Sequence, residues 1–99
     1  MDANPSLAGQ IRVHQDVVWR DVDGEIVLLN VVTGQYFGLD DVGSRVWFLL
    51  QQDGDAGTSL ETLGERVVAE FEVDGPTAIA DLTALLQQLL DQQLVTVRA

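Results

Sequence analysis

Few residues in this chain could do covalent chemistry. Its single histidine, His14, would need Ser44 or Ser59 and a carboxylate beside it to form a nucleophile–base–orienter set, and no spacing suggests that they meet. His14 reads as a surface or structural residue. Cysteine is absent, which removes thiolate nucleophiles, thiolate metal sites and disulfides together. Asp53 and Asp55 flank Gly54, but this run lacks the further oxygen ligands and closing glutamate of a calcium loop. It reads as a solvated loop. Asp40-Asp41 precedes an amphipathic run and suits a helix cap. Thr33-Gly34 and Gly38-Leu39 lack the spacing of a phosphate loop. The expectation is a non-enzyme with no catalytic residue, metal or cofactor.

What remains is the chemistry of the main chain. The stretch Glu25–Leu50, EIVLLNVVTGQYFGLDDVGSRVWFLL, reads as an apolar strand, a Thr-Gly turn, a short aromatic strand and a capped helix. A strand as short as Gln35–Leu39 belongs at a sheet edge, where unpaired N–H and C=O groups can pair with an extended peptide. Tyr36 and Gly38 share one face of it, Phe37 and Leu39 the other. A glycine weakens a strand unless another backbone comes close, as a docked peptide would; a bulge would explain it equally well.

The preceding elements place that edge. Val17–Val22 forms a strand, with Ile11–His14 as an extended lead-in, and Asp23-Gly24 is a hairpin turn because both positions of a type I′ turn need positive φ. Glu25–Asn30 returns, and Thr33-Gly34 turns again into Gln35–Leu39, which makes an antiparallel meander. Three helices follow. Asp40 or Asp41 caps the first, whose apolar residues Val42, Val46, Leu49 and Leu50 keep the helical period, with Trp47 beside them. Thr58-Ser59-Leu60-Glu61 has capping-box form with Thr58 as the cap, ahead of the face Leu60, Leu63, Val67 and Phe71. Pro76 suits the first turn of the third helix. That helix carries six large aliphatic residues in twelve positions, more than one packed stripe needs. Ile79, Leu82, Leu86 and Leu89 make the stripe, and Leu85 and Leu90 lie off it. The surplus would line a groove or a dimer interface, or be buried between the other two helices. Leu94–Val97 is a short closing strand. Strands first and helices later give an α+β, winged-helix-like class: a three-stranded antiparallel sheet followed by three helices.

Composition bounds the rest. The chain has 99 residues, the size of one domain, and should bury roughly two-thirds of its unfolded surface. Residues 1–10 read as a flexible N-terminus and residues 11–97 as the domain. No signal peptide is evident, and the longest apolar runs fall well short of the ~18 residues of a membrane span. A cytoplasmic setting is expected. Sixteen carboxylates against five arginines and no lysine give a net charge of −11. Such a surface repels nucleic acid and anionic lipid, whose binding is largely electrostatic. This argues against a DNA-binding winged helix, and no membrane partner is expected. Acidity also serves simple solubility.

The pattern Asn30-x-x-Thr33-Gly34-x-Tyr36-Phe37-x-Leu39, followed by Val42-Gly43 and Trp47, resembles the PqqD-like family of precursor recognition elements for ribosomally made, modified peptides. It is most similar to the stand-alone members that serve lasso-peptide biosynthesis. The likeness covers about Val17–Val97. It implies a winged-helix-like fold that binds the leader segment of a precursor peptide as an extra strand beside the third strand. Mapped here, the edge is Gln35, Tyr36, Phe37, Gly38 and Leu39, with Val31 and Val32 at its entrance. The opposite wall is Asp81, Leu82, Leu85, Gln88 and Leu89, and Asp81 would hydrogen-bond or pair with the peptide. Leaders in that group carry a tyrosine and a proline that fill such a pocket. The implied partners are a leader peptidase and an ATP-dependent cyclase. A PqqD-type chaperone of another peptide-modifying pathway and a homodimeric interaction domain are the alternatives.

Overall fold

The computed structural model describes Leu7 and residues 9–98. Four strands come first: β1 (Gln10–Val13), β2 (Val17–Val22), β3 (Glu25–Asn30) and β4 (Tyr36–Gly38). At the β2–β3 turn Asp23 has φ 56° and Gly24 φ 90°, the pair of positive angles a type I′ hairpin requires. The register runs without a break from Val17↔Asn30 to Val22↔Glu25. The next turn closes with the Gly34 amide donating to the Asn30 carbonyl (2.9 Å) and the Asn30 amide to the Gln35 carbonyl (2.8 Å). Gly34, at φ 81°, takes a conformation that side chains disfavour. The result is the expected three-stranded antiparallel sheet in the order β2-β3-β4, with β4 paired on one side only.

Three helices follow: α1 (Asp41–Asp53), α2 (Leu60–Phe71) and α3 (Gly75–Asp91). Asp40 caps α1, accepting the Gly43 amide at 2.8 Å. The cap of α2 is Ser59, which accepts the Thr62 amide at 3.1 Å, and not Thr58 as the capping-box reading expects. Thr58 is held in an extended bridge to Ile11 by two main-chain bonds of 2.8 and 2.9 Å, so the helix starts one residue later. The inner face of the sheet, with Ile26 and Leu28, packs on Val46, Trp47 and Leu50 of α1, all buried. Trp19 stands edge-on to Phe48 at 5.4 Å. On α3 the buried stripe is Ala78, Leu82, Leu86 and Leu89. Ile79, expected in that stripe, is pushed to its rim. There it fills the space above Gly64 of α2, where any Cβ would lie 2.5 Å from its Cδ1. Leu85 and Leu90 are half-buried, as two residues beside a stripe should be.

The chain closes with β5 (Val95–Arg98), which pairs antiparallel with β1 from Gln10↔Arg98 to Val13↔Val95. The sequence marks both segments as extended but gives no sign that they pair. Most of the segment expected to be flexible, residues 1–6 and Ala8, lies outside the described residues; of the remainder, Leu7 is buried and Gln10 opens β1. His14 is structural. Its amide donates to the Leu94 carbonyl (3.1 Å), and its Nδ1 accepts the Asp16 amide (3.1 Å). Arg45 joins α1 to α2 through a two-pronged bond to Glu70 (2.7 and 2.8 Å), whose carboxyl it holds below the usual range mainly by that hydrogen bond. Among the described residues no helix is long and apolar enough to cross a membrane.

One buried hydroxyl ties sheet and helix together. Ser44 Oγ accepts the Ile26 amide at 3.0 Å and donates to the Leu39 carbonyl at 3.3 Å, bridging the last rung between β3 and the end of β4. Ser44→Ala leaves that buried amide unpaired. It is expected to lower stability by about 1–3 kcal/mol in chemical denaturation, with the midpoint moved and the slope unchanged.

Candidate functional site

The free edge follows from the hydrogen bonds at the two ends of β4. The Asn30 amide donates to Gln35, and the Leu39 amide donates to the Ile26 carbonyl at 2.8 Å. Pairing thus extends over the expected length, Gln35–Leu39, although only Tyr36–Gly38 counts as strand. Because an antiparallel ladder alternates, the main-chain groups of Phe37 face Leu28, and those of Tyr36 and Gly38 point away from β3. Among the described residues no other strand covers them. The register Val27↔Gly38, Leu28↔Phe37, Leu29↔Tyr36 is continuous, which excludes the bulge as a reason for Gly38. A Cβ on Gly38 would meet nothing within 4 Å, so nothing in the described chain requires a glycine there.

One tie fixes this edge relative to α3, and a cavity lies at its other end. At one end buried Asn30 gives its Nδ2 to the Gln93 carbonyl (2.8 Å), just past the C-terminus of α3. The same side chain accepts the Val32 and Thr33 amides at 2.9 and 3.1 Å, which shapes the loop leading into β4. At the other end a cavity of about 270 Å³ opens where β4 gives way to α1, and Asp81, Leu82 and Leu85 of α3 line its far side. Buried Val46, Val67 and Leu82 contribute apolar lining, and the exposed carboxyl residues Asp40 and Asp81 belong to the same lining. The main packing of α3 is with α2 and β5. The arrangement can hold an extended chain along β4 and receive an apolar side chain beyond Gly38. Among the described residues no group of three or more histidines and carboxylates could hold a metal ion.

The expected site residues distribute unevenly. Val31, Val32, Gln35, Tyr36 and Gly38 are exposed along the edge and its loop, Tyr36 at 71%. Phe37 is half-buried against the core. Leu39 and Leu89 lie inside the core at 3% and 1%, so they support the site from below. Gln88 is exposed and lies outside the cavity lining. Sequence reasoning missed the α1 side of the cavity, Asp40, Val42 and Gly43, and the α2–α3 side at Phe71 and Val73. Val42 keeps the helical period of the core, yet it is 39% exposed because α1 has only begun there and its first turn overhangs the cavity. No periodicity distinguishes such a residue from a core one.

The sequence profile described as coenzyme PQQ synthesis protein D (PqqD) matches residues 25–95. Among curated proteins none matches the chain. Two solved structures share the fold. A structure described as TbiB1 in complex with the TbiA(beta) leader peptide is 39% identical, with a TM-score of 0.78, over 89% of this chain and 98% of that one. A lasso peptide synthetase B1 complexed with the leader peptide is 22% identical, with a TM-score of 0.73, over 88% of this chain and 98% of that one.

Proposed function

We propose that this chain, which belongs to the PqqD family, binds the leader segment of a ribosomally made precursor, of the lasso class, as an added strand on β4. The unpaired margin at Tyr36 and Gly38, running into an apolar cavity, carries this reading. The relative that is 39% identical is described in complex with a leader peptide, which supports it. Main-chain bonds to the edge give affinity that tolerates sequence variation. Side chains on one parity reach Phe37 and the cavity and give selectivity. The net charge of −11 favours encounter with a leader that carries lysine or arginine. Asp81 lines the cavity, which supports a role for it as acceptor of a donor on the guest.

The protein does no chemistry in this scheme. In the cytoplasm it presents the precursor to a leader peptidase and an ATP-dependent cyclase. Mixing it alone with precursor should leave every mass unchanged. Truncating the groove should cost binding more than folding: Leu85→Ala and Phe37→Ala, both at half-buried positions, are each expected to weaken the leader about 5- to 30-fold in fluorescence polarisation. Unchanged affinity in both rejects the groove. A homodimer through the β4 edge would compete with the guest, and sedimentation with and without leader separates the two.

A further inference from the structure

Five arginines face sixteen carboxylates in this chain, and they are not spread evenly. Arg45 and Arg66 pair with Glu70 and Asp53, whereas Arg12, Arg20 and Arg98 take part in no ion pair among the described residues. Two of these three stand on the β1–β5 pair. Its register sets Arg12 opposite Thr96 and Gln10 opposite Arg98, so both arginines share one face as diagonal neighbours. Neither strand carries a carboxylate. A cavity of about 280 Å³ opens here, lined by Arg12, Val13, His14, Gln15 and Thr96. Every polar side chain in that lining can donate a hydrogen bond, and among the described residues no carboxylate belongs to it. Beyond its structural bonds, His14 has a donor to spare: its Nδ1 accepts the Asp16 amide at 3.1 Å, which leaves the proton of the neutral ring on Nε2. The Asp16 carboxylate stands 3.8 Å from the same Nδ1 and outside the lining.

We infer that this cavity binds a small phosphoryl oxyanion, either free phosphate or the phosphate end of a nucleotide. One guanidinium fork suffices for the two coplanar oxygens of a carboxylate. Here an imidazole, an amide and a hydroxyl add donors from the turn after β1 and from β5, and a tetrahedral phosphoryl group has oxygens for all of them. Arg12, His14 and Thr96 are half-buried, which strengthens their bonds to an anion by limiting competition from water. The net charge of −11 opposes any anion at long range, so affinity at this site comes from direct contact. It should therefore persist at ~0.15 M salt, where charges beyond ~8 Å are largely screened. The β1–β5 pair is a separate sheet from β2-β3-β4, and the site does not depend on leader binding.

The full chain, isotopically labelled, is titrated by NMR with inorganic phosphate, with ATP and with acetate in ~0.15 M sodium chloride. Saturable shifts are expected at the amides of Arg12, His14, Gln15 and Thr96 with phosphate and ATP. ATP binding within about threefold of phosphate assigns the site to the free ion, and a larger gain assigns it to a nucleotide. Arg12→Gln should weaken phosphate about tenfold and Thr96→Val about threefold. Arg20→Gln removes the same charge from the other sheet and should leave affinity within about 1.5-fold. Arg12→Lys keeps the charge and loses the fork; its expected loss of about threefold decides the matter should Arg12→Gln fold poorly. Absence of saturable shifts at these amides with both phosphate and ATP overturns the inference. So does equal weakening by Arg12→Gln and Arg20→Gln, the mark of bulk charge alone, and so does acetate binding as tightly as phosphate.

Discussion

Tyr36→Pro is expected to weaken leader binding about 10- to 100-fold while thermal stability stays within a few degrees. The Tyr36 amide points to the free edge, away from β3, as the alternation between the Gln35 and Leu39 bonds dictates. Proline removes that donor and sets its ring where the guest backbone would approach. Losing one main-chain bond and disturbing its neighbour costs about 1.4–2.7 kcal/mol of binding, which is the stated range in affinity. The free protein loses little, because that amide has no partner strand among the described residues. Phe37→Pro is the contrast. It breaks a rung to Leu28 and should lower stability as well as binding. Polarisation with labelled leader and a thermal melt of each variant separate the cases. A Tyr36→Pro protein that binds leader as tightly as the unaltered chain rules out strand addition at β4.

Asn30→Ala should be the most destabilising polar substitution. This side chain is fully buried, and its amide group serves the Val32 and Thr33 amides and the Gln93 carbonyl at once. Alanine removes all three bonds. Water recovers part of the loss at the two loop amides, since Val32 and Thr33 are exposed, but the tie between β3 and the end of α3 has no substitute. The expected loss is about 2–3 kcal/mol, or roughly 10–20 °C in melting temperature for a domain of this size. Asn30→Asp keeps the acceptor for the loop but loses the donor to Gln93 and sets a buried carboxyl against that carbonyl, so it adds a desolvation cost to the loss of the tie. Its leader affinity should fall further than its loop geometry explains, because the spacing between edge and helix is no longer fixed. A melt within 2 °C or so of the parent for Asn30→Ala shows that Asn30 does not hold the two elements together.

The elements of this fold are legible where the signal is local. Asp23-Gly24, Thr33-Gly34, the cap before α1 and the apolar period of each helix depend on neighbours within a few residues. Each therefore appears in the sequence at nearly its true place. The cap of α2 shows the limit. Thr58 and Ser59 are equally able to cap, and the choice falls to Ser59 because distant Ile11 captures the Thr58 backbone. Ile79 fails for the same reason: its helical phase suits the core, but a glycine on a different helix draws it to the rim.

The chain by itself determined the meander, the three helices and the short strand whose margin is the candidate site. All of these follow from residue type and short-range spacing. Tertiary structure alone decided that β1 closes against β5, that Asn30 reaches Gln93, and that the first turn of α1 overhangs α3 to form a cavity at the end of β4. These depend on which distant surfaces meet. Apolar periodicity tells which face of an element is buried; it carries no information about what that face is buried against, or where two packed elements part to leave a space.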